Sequence, residues 1–126
     1  MPTWTLFTEF TFDAAHRIDG YDGKCAHLHG HTYKVRMEAK SHTLNPSAYL
    51  KSADMVCDFR ELKWASKDGT KGGLDHSFLN ETLPVVTTAE RIAEYIHQET
   101  KKRIPDHIEL TVTVWETPTS WVEYKD

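Results

Sequence analysis

Residues 25–31 read CAHLHGH, one thiol and three imidazoles in a single short stretch. Neutral imidazole nitrogen and thiolate sulfur are both zinc donors, and a thiolate also serves as base or nucleophile. On these residues alone three chemistries stand open: a closed structural zinc clip, a reactive thiol beside an open metal, and a histidine-rich loop. Elsewhere His16 closes the run FDAAH, Asp75 and His76 are adjacent in GLDHSFLN, and Glu116 follows LTVTVW.

Spacing begins to separate them. Residues two apart on a strand share a face. His29 and His31 have the parity of Tyr33 and Val35, and His16 has that of Phe10 and Phe12. Two paired strands would bring these three imidazoles to one end of a sheet. Three protein ligands with one open position is the arrangement of a catalytic zinc site. A closed clip would need a fourth ligand at compatible spacing, and Cys57 opens a helix with no second CxxC partner. Cys25, four residues before His29, is open to reading as a thiolate base or nucleophile, a fourth ligand or a bystander. Cys57 reads as a small buried hydrophobe.

The remaining polar candidates divide by position. His27 reads as pointing away from the metal, while His42, His97 and His107 read as solvated surface. Gly30 reads as permitting close backbone approach between the ligands. Asp75 can orient His76 and raise its basicity where the two side chains meet. Glu116 keeps the inward parity of Ile108, Leu110, Val112 and Val114, so a carboxylate ends an apolar face. Such a group requires a partner, and a ligand edge with adjacent N–H donors would supply one.

The elements that must position these residues follow from periodicity. TWTLFTEFTFD and HTYKVRMEAK alternate as strands, and HIELTVTVWE and WVEYKD form a second pair joined by the turn TPTS. Asp58 with Glu61 is a capping box that opens a short helix, and Thr87 with Glu90 is a second one. The helix TTAERIAEYIHQETKKRI repeats Ala89, Ile92, Ala93 and Ile96 on one face. KDGTKGGLDHSFLNETLP reads as loop. The order β-β-α-α-β-β predicts an α+β domain over residues 1–126, with helices on one face of an antiparallel sheet.

Composition narrows the setting. The 126 residues carry a formal charge of −4, and no Lys/Arg block exceeds Lys101–Arg103, which argues against nucleic acid as partner. No apolar run approaches the ~18 residues of a membrane span, and MPTWTLFTEF lacks a secretory pattern. Two cysteines predict no disulfide framework and a reducing, cytoplasmic setting.

Together FDAAH, CAHLHGH, MVCDF with ELK, LDHSFLN, TTAE and VWET resemble the 6-pyruvoyltetrahydropterin synthase family, from about Phe7 to Thr117. The C-x3-H-G-H spacing is similar to that of the family's carboxytetrahydropterin synthases of queuosine synthesis. The resemblance implies a T-fold, with trimers closing a barrel and usually pairing into a homohexamer. It implies zinc on His16, His29 and His31, a catalytic thiol at Cys25, and an acid–base pair at Asp75 and His76. It also implies a pterin-edge carboxylate at Glu116, and a secondary pterin contact at Thr88 and Glu90. The implied substrate is 7,8-dihydroneopterin triphosphate, with Arg17, Lys24 and Lys71 near enough in sequence to meet its phosphates. Pyruvoyltetrahydropterin synthase and a folate-pathway pterin aldolase are the alternatives within the family. A zinc- or pterin-binding module without catalysis and a zinc hydrolase are the alternatives outside it.

Overall fold

Alternation in the first third of the chain is realised as two long antiparallel strands. In the computed structural model, which describes residues 1–126, β1 spans Trp4–His16 and β2 spans His29–Ser41. Their register pairs Phe12 with Tyr33, Ala14 with His31 and His16 with His29. Phe12, His16, Tyr33, Val35, Met37 and Ala39 are buried on one face, while Glu9, Lys34 and Lys40 lie on the other. The connection between the strands is closed by the Ile18 N–H donating to the Cys25 carbonyl at 2.8 Å.

The C-terminal strands extend the sheet. β4 (Glu109–Thr117) pairs antiparallel with β2, and β5 (Ser120–Tyr124) pairs antiparallel with β4. Ile108, Leu110, Val112 and Val114 are buried as their parity requires. Against this face packs a long helix, Ala89–Lys101, with Ile92, Ala93, Ile96, His97 and Thr100 buried. The earlier capping box of Asp58 and Glu61 is formed, opening the single turn α1 (Phe59–Leu62). Val56, Cys57, Leu62 and Trp64 join the same core, so Cys57 is the buried hydrophobe its neighbours imply.

The segment read as loop contains two short elements. β3 (Ser77–Phe78) adds a parallel pairing at Ala14 and Ala15 of β1, and α2 (Leu79–Thr82) follows at once. The sheet order is therefore β3-β1-β2-β4-β5, an antiparallel four-strand body with one short parallel edge. The long helix, α3, is capped by Thr88 and not by Thr87: Thr88 Oγ1 accepts from the Arg91 N–H at 3.2 Å. His97 also departs from expectation, because it lies inside the core at 1% exposure. Its Nε2–H donates to the Leu110 carbonyl at 3.0 Å. Lying one turn beyond Ala93, it belongs to the apolar stripe despite its polar type. No helix is long and apolar enough to cross a membrane.

Candidate active site

The β1–β2 register sets His16 opposite His29 with His31 diagonal to both, and their ligand atoms lie within 4.8 Å of one another. His16 is fully buried, and His29 and His31 are partly so. His16 Nδ1 lies 2.9 Å from the Thr87 carbonyl, and His29 Nδ1 lies 2.6 Å from the His27 carbonyl. A carbonyl oxygen only accepts, so each Nδ1 carries the proton and each Nε2 presents a lone pair. These two Nε2 atoms face each other at 3.1 Å, a repulsive pairing unless a cation lies between them. Ligands about 2.05 Å from a common tetrahedral ion would sit about 3.3 Å apart. His31 Nε2 is also buried without a hydrogen-bond partner. The donor set thus fits a metal ion. Burial holds His16 and His31 below the usual imidazole range and Glu116 partly opposes it, which favours the neutral, ligating form.

Glu116 reaches this cluster from β4, with Oε1 at 3.5 Å from His31 Nε2. That contact lacks hydrogen-bond geometry, so the carboxylate keeps its acceptor capacity. Glu116 and Glu90 line a shared depression of about 280 Å³ with Trp121 at its edge. Thr88 is occupied as the helix cap, and Glu90 stands in the first turn of α3 without a cap role.

Asp75 and His76 do meet. His76 Nδ1–H donates to Asp75 Oδ2 at 2.8 Å, and the other carboxylate oxygen accepts the Asp13 N–H at 2.8 Å. The adjacent side chains converge because His76 adopts a left-handed backbone, with φ 57. The Asp13 amide, with His76 adding, holds Asp75 below the usual carboxylate range. Asp75 in turn raises His76 above the usual imidazole range. His76 and His31 line one open depression of about 560 Å³.

Cys25 lies in a 3₁₀ turn, Lys24–Ala26, as a partly buried free thiol outside the three-histidine group. His27 stands before β2 and outside the three-histidine group, and like His42 and His107 it is exposed, as expected. Gly30 does not secure a close approach: a Cβ there would meet only the Ala14 carbonyl oxygen, at an ordinary 3.6 Å. Of the suggested phosphate-binding cations, Arg17 is paired to Asp19 at 3.0 Å. Lys24 and Lys71 lie at turns on the chain's exterior.

Sequence reasoning missed the supports. Thr87 supplies the His16 acceptor and is fully buried. Asn80 clamps the Arg17 backbone by accepting its N–H at 2.9 Å and donating to its carbonyl at 2.8 Å. Asp13 anchors Asp75. Asn80 lies in the same LDHSFLN run as His76, which is the one signal that pointed to it.

A model of the family described as 6-pyruvoyl tetrahydropterin synthase matches residues 5–126. The chain belongs to that family. Among its relatives, 6-carboxy-5,6,7,8-tetrahydropterin synthase of Haemophilus influenzae is 38% identical, over 94% of this chain and 96% of its own. The protein of the same description from Synechocystis sp. is 34% identical, over 96% of this chain and 92% of its own. The family fold is matched by the solved structure of Caenorhabditis elegans 6-pyruvoyl tetrahydropterin synthase, with a TM-score of 0.73 at 25% identity. That match covers 100% of this chain and 97% of the other.

Proposed function

We propose that this chain acts as a 6-carboxy-5,6,7,8-tetrahydropterin synthase. Taking up one water, it converts 7,8-dihydroneopterin triphosphate into 6-carboxytetrahydropterin, acetaldehyde and triphosphate, in the queuosine branch. The observation that carries this reading is 38% identity to a carboxytetrahydropterin synthase along nearly the whole of both chains. The three-histidine group with Glu116 beside it supports the same chemistry.

In this reading His16, His29 and His31 hold a zinc ion. When bound, zinc supplies Lewis acidity to substrate oxygens and eases proton loss from neighbouring bonds. Glu116 accepts from the adjacent N–H donors of the pterin edge, and Thr88 and Glu90 form the secondary contact. His76 Nδ1 is engaged by Asp75, so His76 Nε2 is the atom that takes or gives a proton. Cys25 moves the second proton from the other side of the substrate chain. The unit is one domain over residues 1–126, acting as a trimer or a dimer of trimers. The free thiols suit a reducing, cytoplasmic setting.

Incubating purified protein with 7,8-dihydroneopterin triphosphate tests this assignment. Equal amounts of carboxytetrahydropterin and acetaldehyde are expected; a pyruvoyl product without acetaldehyde overturns it. Cys25→Ala should lose about 10²–10⁴-fold in turnover while bound zinc is retained. Unchanged turnover in that variant would remove the thiol from the mechanism.

A further inference from the structure

Asp13 stands at the junction of everything that holds His76, yet no step assigned above uses it. Its main chain makes two contacts with the pair: the Asp13 N–H donates to Asp75 Oδ1 at 2.8 Å, and the Asp13 carbonyl accepts the His76 N–H at 2.6 Å. Its side chain is fixed from the neighbouring strand, where Thr32 Oγ1–H donates to Asp13 Oδ1 at 2.5 Å. Thr32 is its partner in the β1–β2 register and the residue next to His31. The carboxylate so held lies within 4.8 Å of the Asp75 and His76 polar atoms.

We propose that Asp13 is a positioning residue for the Asp75–His76 pair: its main chain orients the pair, and its carboxylate sets a second negative charge beside the His76 ring. Asp75 from the same loop, Asp13 from β1 and Asp68 from the preceding turn are the charged groups that act on that ring, and all are anionic. Asp68 is partly engaged by the Thr70 N–H and hydroxyl. Asp13 also ties the acid–base pair to the strand that carries His29 and His31, so both halves of the site share one register. This inference rests on the reading of His76 as a proton-transfer group.

The test follows the His76 ring by NMR titration of histidine-labelled, zinc-loaded protein, with the resonance identified by its loss in His76→Gln. Asp13→Asn keeps both main-chain contacts and an acceptor for Thr32, and removes only the charge. Its His76 midpoint should fall by about half a pH unit, the size of a water-screened attraction at this separation. The shift should shrink in 1 M salt, where the Debye length is about 3 Å. Thr32→Val, which frees the Asp13 carboxylate, should shift the midpoint the same way by less. In folded Asp13→Asn, a midpoint within about 0.1 unit of the parent overturns the proposal. The titration needs no substrate, so a wrong product assignment leaves it intact. If the ring shifts and the kcat–pH limb follows, both readings stand. If the ring shifts and the limb does not move, the Asp13 effect holds and His76 loses its role in turnover.

Discussion

At the scale of single residues, the proposed metal-binding role of the three histidines and the proposed pterin-binding role of Glu116 carry separable predictions. His29 is the outermost of the ring pair whose Nε2 atoms face each other at 3.1 Å, so His29→Ala removes a donor with little damage to the core. Zinc measured by elemental analysis should fall from about one equivalent to a small fraction of that. Glu116→Gln keeps the side chain's shape and removes its charge. A hydrogen bond to a charged group is worth about 1.5–3 kcal/mol, so KM should rise about 10–150-fold with kcat little changed. A kcat loss at constant KM would instead place Glu116 in the chemistry. The convergence of His16, His29 and His31 was legible because alternation fixes which side chains share a face. Their orienting partners were not, because the acceptors at His27 and Thr87 are main-chain carbonyls, which any residue type supplies.

At the scale of elements, long periodic segments were legible and short or shifted ones were not. β3 has two residues, too few to alternate, and its place depends on the Asp13–His76 backbone contact across the fold. Thr87 and Thr88 both suit a helix start; burial of Thr87 against His16 decides between them. His97 is the instructive case, since it stands on the buried stripe of α3 between Ile96 and Thr100. Burial lowers its pKa, with the Asp126 carboxylate and the Leu110 carbonyl opposing and Lys101 adding. The unfolded chain therefore binds the proton first. His97's contribution to stability is complete above about pH 6.5 and is lost as pH falls below it, until the folded form is also protonated. The slope is at most about 1.4 kcal/mol per pH unit. Denaturation of zinc-loaded protein at pH 7 and pH 5.5 should show this loss, and His97→Gln should reduce it. Equal pH dependence in the two proteins would rule His97 out as its source. His16 and His31 are common to both proteins, so the comparison isolates His97.

At the scale of the whole molecule, the sheet is left open in a way that bears on assembly. β3 covers β1 only at Ala14 and Ala15, and β5 ends the other side. The Asp13 N–H and carbonyl point away from β2, toward Asp75 and His76. By the two-residue repeat of a strand, Thr11, Glu9 and Phe7 present their N–H and carbonyl groups along the same uncovered edge. Phe7 is also half exposed, at 53%, and Trp121 at the far edge is 60% exposed. An unprotected edge with apolar neighbours is a template for strand addition. Joining this edge of one copy to the β5 edge of the next is the ring closure expected of a trimer. Glu9→Pro tests that closure, because it deletes an edge N–H that β2 does not use and keeps the β1–β2 ladder. Light scattering should give a trimer or hexamer mass for the parent and a monomer mass for the variant, with far-UV circular dichroism unchanged. A folded Glu9→Pro variant that keeps the parent mass would show that assembly does not run through the β1 edge.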